Sequence, residues 1–131
     1  MITVIARWES SQMSSDIEWQ LWRQLKGAFL VDRFHMVGEH PGFDRGNLYH
    51  YLRMEDALDA AQGERAFLEP KGRRPITELP QGDIVLVLGD TDHDNLAFAR
   101  DHETYRIKTD GRTVLYGTTA AGIALAIRCG Q

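Results

Sequence analysis

Residues 84–88 (Ile-Val-Leu-Val-Leu) form the clearest hydrophobic run in the chain, closed by Asp83 on one side and Gly89 on the other. A short continuous apolar run bounded by polar and turn residues describes a strand buried on both faces, as at the centre of a parallel sheet. Residues 2–8 alternate and are rich in β-branched types, which predicts a first strand. Residues 34–37 predict a second strand closed by Gly38, and residues 65–68 a third stopped by Pro70 and Gly72. With 84–88 as the fourth, residues 105–107 make a fifth.

Helical spacing appears between these runs. Over residues 17–29, Ile17, Leu21, Leu25 and Ala28 share one face, widened by Trp22 and Phe29. Ser14, Ser15 and Asp16 are N-cap candidates for that helix, and Glu18 stands in its first turn. Residues 54–62 read as a second helix stopped by Gly63, 95–100 as a short one, and 120–128 as an Ala-rich last one. Residues 38–50 are dense in breakers and predict a long loop, and 75–80 predict a linker. The alternation of strands and helices predicts an α/β fold with a mainly parallel sheet, as a single domain over residues 1–131.

Composition narrows the setting more than the chemistry. A 43% hydrophobic share supports a real core, and 26% charged residues is ordinary for a globular surface. The formal charge of −4 speaks against a broad basic face, although Arg65, Lys71, Arg73 and Arg74 concentrate positive charge locally. The lone Cys129 has no partner thiol, so a reducing, cytoplasmic setting is expected. The first residues read as a strand rather than a signal peptide, and no apolar run approaches the roughly 20 residues of a membrane span, so no membrane association is expected.

The C-terminal third carries a resemblance. Val85-Leu86-Val87-Leu88-Gly89, then Tyr105-Arg106-Ile107, then Leu115-Tyr116-Gly117-Thr118-Thr119-Ala120-Ala121-Gly122-Ile123-Ala124-Leu125 resembles the signature of SPOUT-class methyltransferases. The resemblance implies a C-terminal trefoil knot over about residues 84–128, with S-adenosylmethionine held by Leu88, Gly89, Ile107, Leu115 and Thr119, largely through backbone groups. It implies an RNA substrate (tRNA or rRNA), a homodimer, and no metal. Arg23 stands near the family's arginine on the first helix, and Glu69 lies just beyond the third strand, where α/β ligands bind. These two are the candidate catalytic residues. Thr91 stands where many ribose-methylating members have a glutamate, and Val114-Leu115-Tyr116 replaces their Ser-Leu-Asn. Those departures motivate a second reading, a knotted domain that binds the cofactor or a partner without methyl transfer.

Two other features carry chemistry. Asp90, Asp92 and Asp94 alternate through a loop and suggest a metal- or phosphate-dependent site, but Asn95 sits where a calcium loop needs glycine. A solvated acidic turn fits the pattern better. His35, His40 and His50 lie in or near the long loop, at spacings that match no established metal motif, and are expected at the surface.

Overall fold

The computed structural model describes residues Met1–Gly130. Seven strands form one fully parallel sheet: β1 (Ile2–Arg7), β2 (Arg33–Val37), β3 (Leu48–Tyr51), β4 (Glu64–Leu68), β5 (Arg74–Pro75), β6 (Ile84–Leu88) and β7 (Thr104–Arg106). Their spatial order is β3-β2-β1-β6-β4-β7-β5. Helices α1 (Ser15–Phe29) and α3 (Gly117–Cys129) cover one face of this sheet. Helix α2 (Met54–Asp59) and residues around Phe98 cover the other. The α/β, parallel reading is met, with two strands more than the hydrophobic pattern showed.

Strand β6 is central because it is apolar on both faces. All five of its residues are buried; Ile84, Leu86 and Leu88 face the α1/α3 layer, and Val85 and Val87 the α2 layer. Burying each such side chain contributes about 1.5–3 kcal/mol. Its edges pair with β1 (Thr3 opposite Val85) and β4 (Ala66 opposite Leu86). The two edge strands, β3 and β5, are only four and two residues long, and Pro75 sits where no further ladder partner is needed.

The two additional strands lie inside stretches read as loop and linker. Leu48–Tyr51 pairs with β2 directly after Asn47, which adopts φ 70° and closes the breaker-rich crossover. Residues 74–75 pair with β7, and a 3₁₀ turn (Ile76–Glu78) buries Ile76. The predicted short helix after β6 is replaced by two 3₁₀ turns, Leu96–Phe98 and Asp101–Glu103. The last helix begins at Gly117, three residues earlier than its alanine run suggests. No helix among the described residues is long and apolar enough to cross a membrane.

Helix α1 is capped by Ser14, whose hydroxyl accepts the Ile17 N–H. Its buried face differs from the expected stripe. Ile17 is 58% exposed and Leu21 36%, whereas Glu18, Trp19 and Trp22 are buried, with Leu25 and Phe29 packed beside them. Tryptophan offers more apolar area than isoleucine or leucine, so the helix turns its indoles onto Phe34 at ring distances of 5.5 and 5.9 Å. The third tryptophan, Trp8, is also in this core.

That rotation takes Glu18 inside. Its Oε1 accepts the Glu9 N–H at 2.6 Å and its Oε2 the Trp22 indole N–H at 2.9 Å. Glu9, also buried, uses Oε2 to accept the Thr91 N–H at 3.2 Å and the Thr91 hydroxyl at 3.1 Å. The pair thus ties α1 and the end of β1 to the loop after β6. Burial, reinforced by the Glu9 and Asp90 charges, pushes the Glu18 carboxyl up to about 7.

A raised carboxyl pKa stabilises the fold below the ordinary value near 4.5, and this contribution is lost as pH rises through about 7. The loss is on the order of 3 kcal/mol. Thermal unfolding is therefore expected to shift several degrees lower between about pH 5 and about pH 8. Glu18→Gln should flatten that part of the profile whatever its absolute Tm; an unchanged slope would remove Glu18 as the cause.

Candidate functional site

The last two strands of the chain each enter between strands already laid. β6 separates β1 from β4, and β7 separates β4 from β5. The chain then crosses back over residues 107–116 to set α3 against α1. Crevices at the carboxyl ends of parallel strands, where crossovers diverge, are where α/β folds bind ligands. A cavity of about 500 Å³ lies there, walled by the segments that follow β4, β6 and β7 and by the start of α3.

Gly89 shapes the first wall. A Cβ at this position would lie 2.2 Å from the His93 carbonyl oxygen, so a side chain would spread the turn. The Asp90 N–H donates to that same carbonyl at 3.1 Å, closing a tight loop directly beyond β6. The Asp90 carboxylate accepts the Asp92 N–H at 2.9 Å and meets His93 Nδ1 at 2.8 Å. Asp94 accepts the Leu96 N–H at 3.1 Å. The alternating carboxylates thus serve the loop's own turns, and the metal reading built on Asp90, Asp92 and Asp94 gains no support from their arrangement.

Glu69 forms part of the second wall. It is buried, and its Oε1 accepts the Asn95 N–H at 3.0 Å, while Asn95 Oδ1 accepts from the Arg7 guanidinium at 3.0 Å. Burial holds the Glu69 carboxyl above its ordinary value, and the nearby Asp94 charge adds to this. The ends of β1, β4 and β6 are therefore joined through one buried asparagine.

The third wall is the entry to α3. Its N-cap, Tyr116, makes no side-chain cap hydrogen bond. The first N–H groups of this 13-residue helix thus lack a side-chain acceptor where Gly117 and Ala120 line the cavity. Gly117 packs so closely that a Cβ on it would lie 3.4 Å from the Gly89 carbonyl oxygen and 3.6 Å from the Trp22 ring. Two segments far apart in sequence meet here, main chain against main chain.

The structure brings together Leu88, Gly89, Ile107, Leu115 and Glu69 on the cavity wall. Thr119 is exposed and lies off the wall, with Gly117 and Ala120 taking its place. Arg23 is on the exposed side of α1, where it donates to Gln20 Oε1 at 2.9 Å, and it does not line the cavity of its own chain. The sequence pattern marks Glu18 only as a first-turn residue and Asn95 only as a mismatch to a calcium loop, and gives Glu9 no role. The available signal was Glu18 itself, four residues before Trp22 on a helix, where only a buried acceptor satisfies the indole N–H. Lys71 and Arg112 also line the cavity and supply its positive charge.

No protein-family model matches the chain, and no curated protein matches its sequence. Solved structures do match. One, solved for insight into the 2-OH methylation of C/U34 on tRNA, aligns with a TM-score of 0.74 over 100% of this chain and 95% of that one, at 16% identity. An AdoMet-bound rRNA methyltransferase from Sinorhizobium meliloti aligns with a TM-score of 0.66 over 97% of this chain and 54% of that one, also at 16% identity. The likeness is one of fold, a parallel α/β sheet flanked by helices, extending over the whole chain.

Proposed function

We propose that the chain is an S-adenosylmethionine-dependent methyltransferase of the SPOUT class acting on RNA, tRNA or rRNA, with its cofactor in the cavity beyond β4, β6 and β7. The observation that carries this reading is the main-chain meeting of Gly89 and Gly117 at that cavity. Such a contact, with β6 and β7 both inserted between earlier strands, is compatible with the C-terminal trefoil knot that the resemblance implies. The full-length likeness to structures of RNA methyltransferases supports the same reading.

The residues present fit the cofactor. A cavity of about 500 Å³ is of drug-ligand size. Leu68, Leu88, Ile107 and Leu115 offer apolar walls for a nucleobase, and the uncapped N–H groups of α3 are donors for its edge or for a carboxylate. Lys71 and Arg112 can balance that carboxylate, and Glu69, Asp90 and Asp92 suit a cationic amino group and sulfonium. When bound, the group supplies an activated methyl. The chain's part is to orient the acceptor in line with it and to take up the acceptor's proton.

Glu69 is placed on the cavity side for the second task. Arg23 is not at its own cavity, and we assign it to the site of a second copy in a homodimer. The exposed Ile17 and Leu21 on α1 give an apolar patch for that contact. A second reading, cofactor or partner binding without transfer, draws on Thr91, whose hydroxyl is engaged by Glu9 and leaves no carboxylate at the position where many ribose methylators have one.

Calorimetric titration with S-adenosylmethionine and S-adenosylhomocysteine is expected to show saturable micromolar binding; none at millimolar concentration would overturn the cofactor assignment. Gly89→Val should lose at least about tenfold in that affinity while circular dichroism stays native, because a Cβ there forces the turn open. Arg23→Ala should keep cofactor affinity and lose roughly a hundredfold in methyl transfer to unmodified RNA. Mixing the Gly89→Val and Arg23→Ala chains should restore activity in heterodimers, and failure to do so would place both residues in one chain's site.

A further inference from the structure

Away from the cavity, the crossover from β2 to β3 gathers His40, Asp44 and His50, whose ligand atoms all lie within 4.8 Å of one another. We propose that these three residues form a site for a divalent transition metal, zinc by its donor set, that pins this crossover to the sheet edge.

Two of the three ligand-atom separations match those of a tetrahedral ion. Zinc bonds of about 2.0–2.1 Å place neighbouring ligand atoms roughly 3.3–3.4 Å apart. Asp44 Oδ1 lies 3.3 Å from His50 Nε2 and 3.5 Å from His40 Nε2. The two imidazole rings lie 4.0 Å apart between centroids with a 37° tilt, and both Nε2 atoms stand beside that carboxylate.

The setting of His50 adds to this. It is held in β3 opposite Met36, with its side chain only 15% exposed. Both of its ring nitrogens are shielded from solvent, and Nε2 meets Asp44 Oδ1 at 3.3 Å without the geometry of a hydrogen bond. A buried imidazole normally satisfies at least one nitrogen. His35, one strand over and also buried, does so by bonding the Ala57 carbonyl at 3.0 Å. A metal bond at Nε2 meets the need that His50 leaves open. Neither histidine is the free surface side chain expected from the sequence, since His35 is in the core and His50 is nearly so.

The backbone that delivers the ligands is set independently of them. Phe34 N–H donates to the Asn47 carbonyl at 2.8 Å, Asn47 Nδ2 to the Asp32 carbonyl at 2.7 Å, and Phe43 packs edge-on against Trp8. Only one contact must yield. The Gly42 N–H donates to His40 Nδ1 at 3.0 Å, and metal ligation at Nε2 moves the ring proton to Nδ1. Gly42, at φ 89° with nothing within 4 Å of where a Cβ would be, can turn that N–H away. His40 and Asp44 are exposed, so the fourth position of the ion opens to solvent, as in sites that keep a water or exchangeable ligand.

The test uses untagged, chelator-treated protein in a Cys129→Ser background, since that exposed thiol is a competing ligand. Zinc chloride titrated by calorimetry is expected to bind one ion per chain at micromolar affinity or better and to raise Tm. Cobalt(II) should give the intense visible absorption of a four-coordinate ion. His40→Ala and Asp44→Ala, both at exposed side chains, should keep the native circular dichroism and each weaken zinc by at least about tenfold. Absence of saturable micromolar binding, or binding unaffected by both substitutions, would overturn the site. Because the readouts are metal affinity and cobalt spectra, the outcome is separate from cofactor binding at the other cavity.

Discussion

Strand β6 is late in the chain but occupies the middle of the sheet, and the pairing of its two edges with β1 and β4 is the constraint on which the remaining structure depends. Its five buried residues supply inward side chains to both helical layers at once. Once it is in place, the turn beyond it must begin at Gly89, because the His93 carbonyl occupies the space of any side chain. β7 must then find its ladder on the far side of β4, and α3 must return past that turn to reach α1. The cavity is what remains between these three obligatory paths.

A second set of bonds fixes the same region from behind. Glu18, Glu9 and Thr91 form one chain of contacts, and Glu69, Asn95 and Arg7 form another. Both end on the loop after β6, one at its beginning and one at its end. Buried carboxylates cost desolvation, and replacing such groups by apolar ones is often neutral for stability. Here each carboxylate satisfies main-chain N–H groups that would otherwise be orphaned next to a cavity. Their contribution is to hold backbone in one conformation, which suits a site whose walls are largely main chain.

The sheet's character was legible because it rests on apolar runs; Ile84–Leu88 is read almost by itself, bounded by Asp83 and Gly89. Four of the five residues named for the cofactor line the cavity, since a family motif fixes strand ends. What escaped was what depends on tertiary competition. Leu48–Tyr51 is a strand only because Phe34–Val37 offers an open edge beside it, and Arg74–Pro75 only because β7 does. The face of α1 differs by the same cause: apolar spacing centres the stripe on Ile17 and Leu21 with Trp22 only widening it, whereas burial is decided by area. Convergence of His40, Asp44 and His50 could not be read from spacing, because a strand register and a turn at Asn47 bring them together.

The insertion of β6 between β1 and β4 also bears on how the molecule is made. As the chain leaves the ribosome, the inner edges of those two strands stay open until residue 88 has emerged, and α3, which seals the apolar face above them, follows later still. Unpaired strand edges flanked by buried-type side chains are the surfaces through which nascent chains associate. A domain of this topology therefore keeps those edges uncovered until its last third has been made.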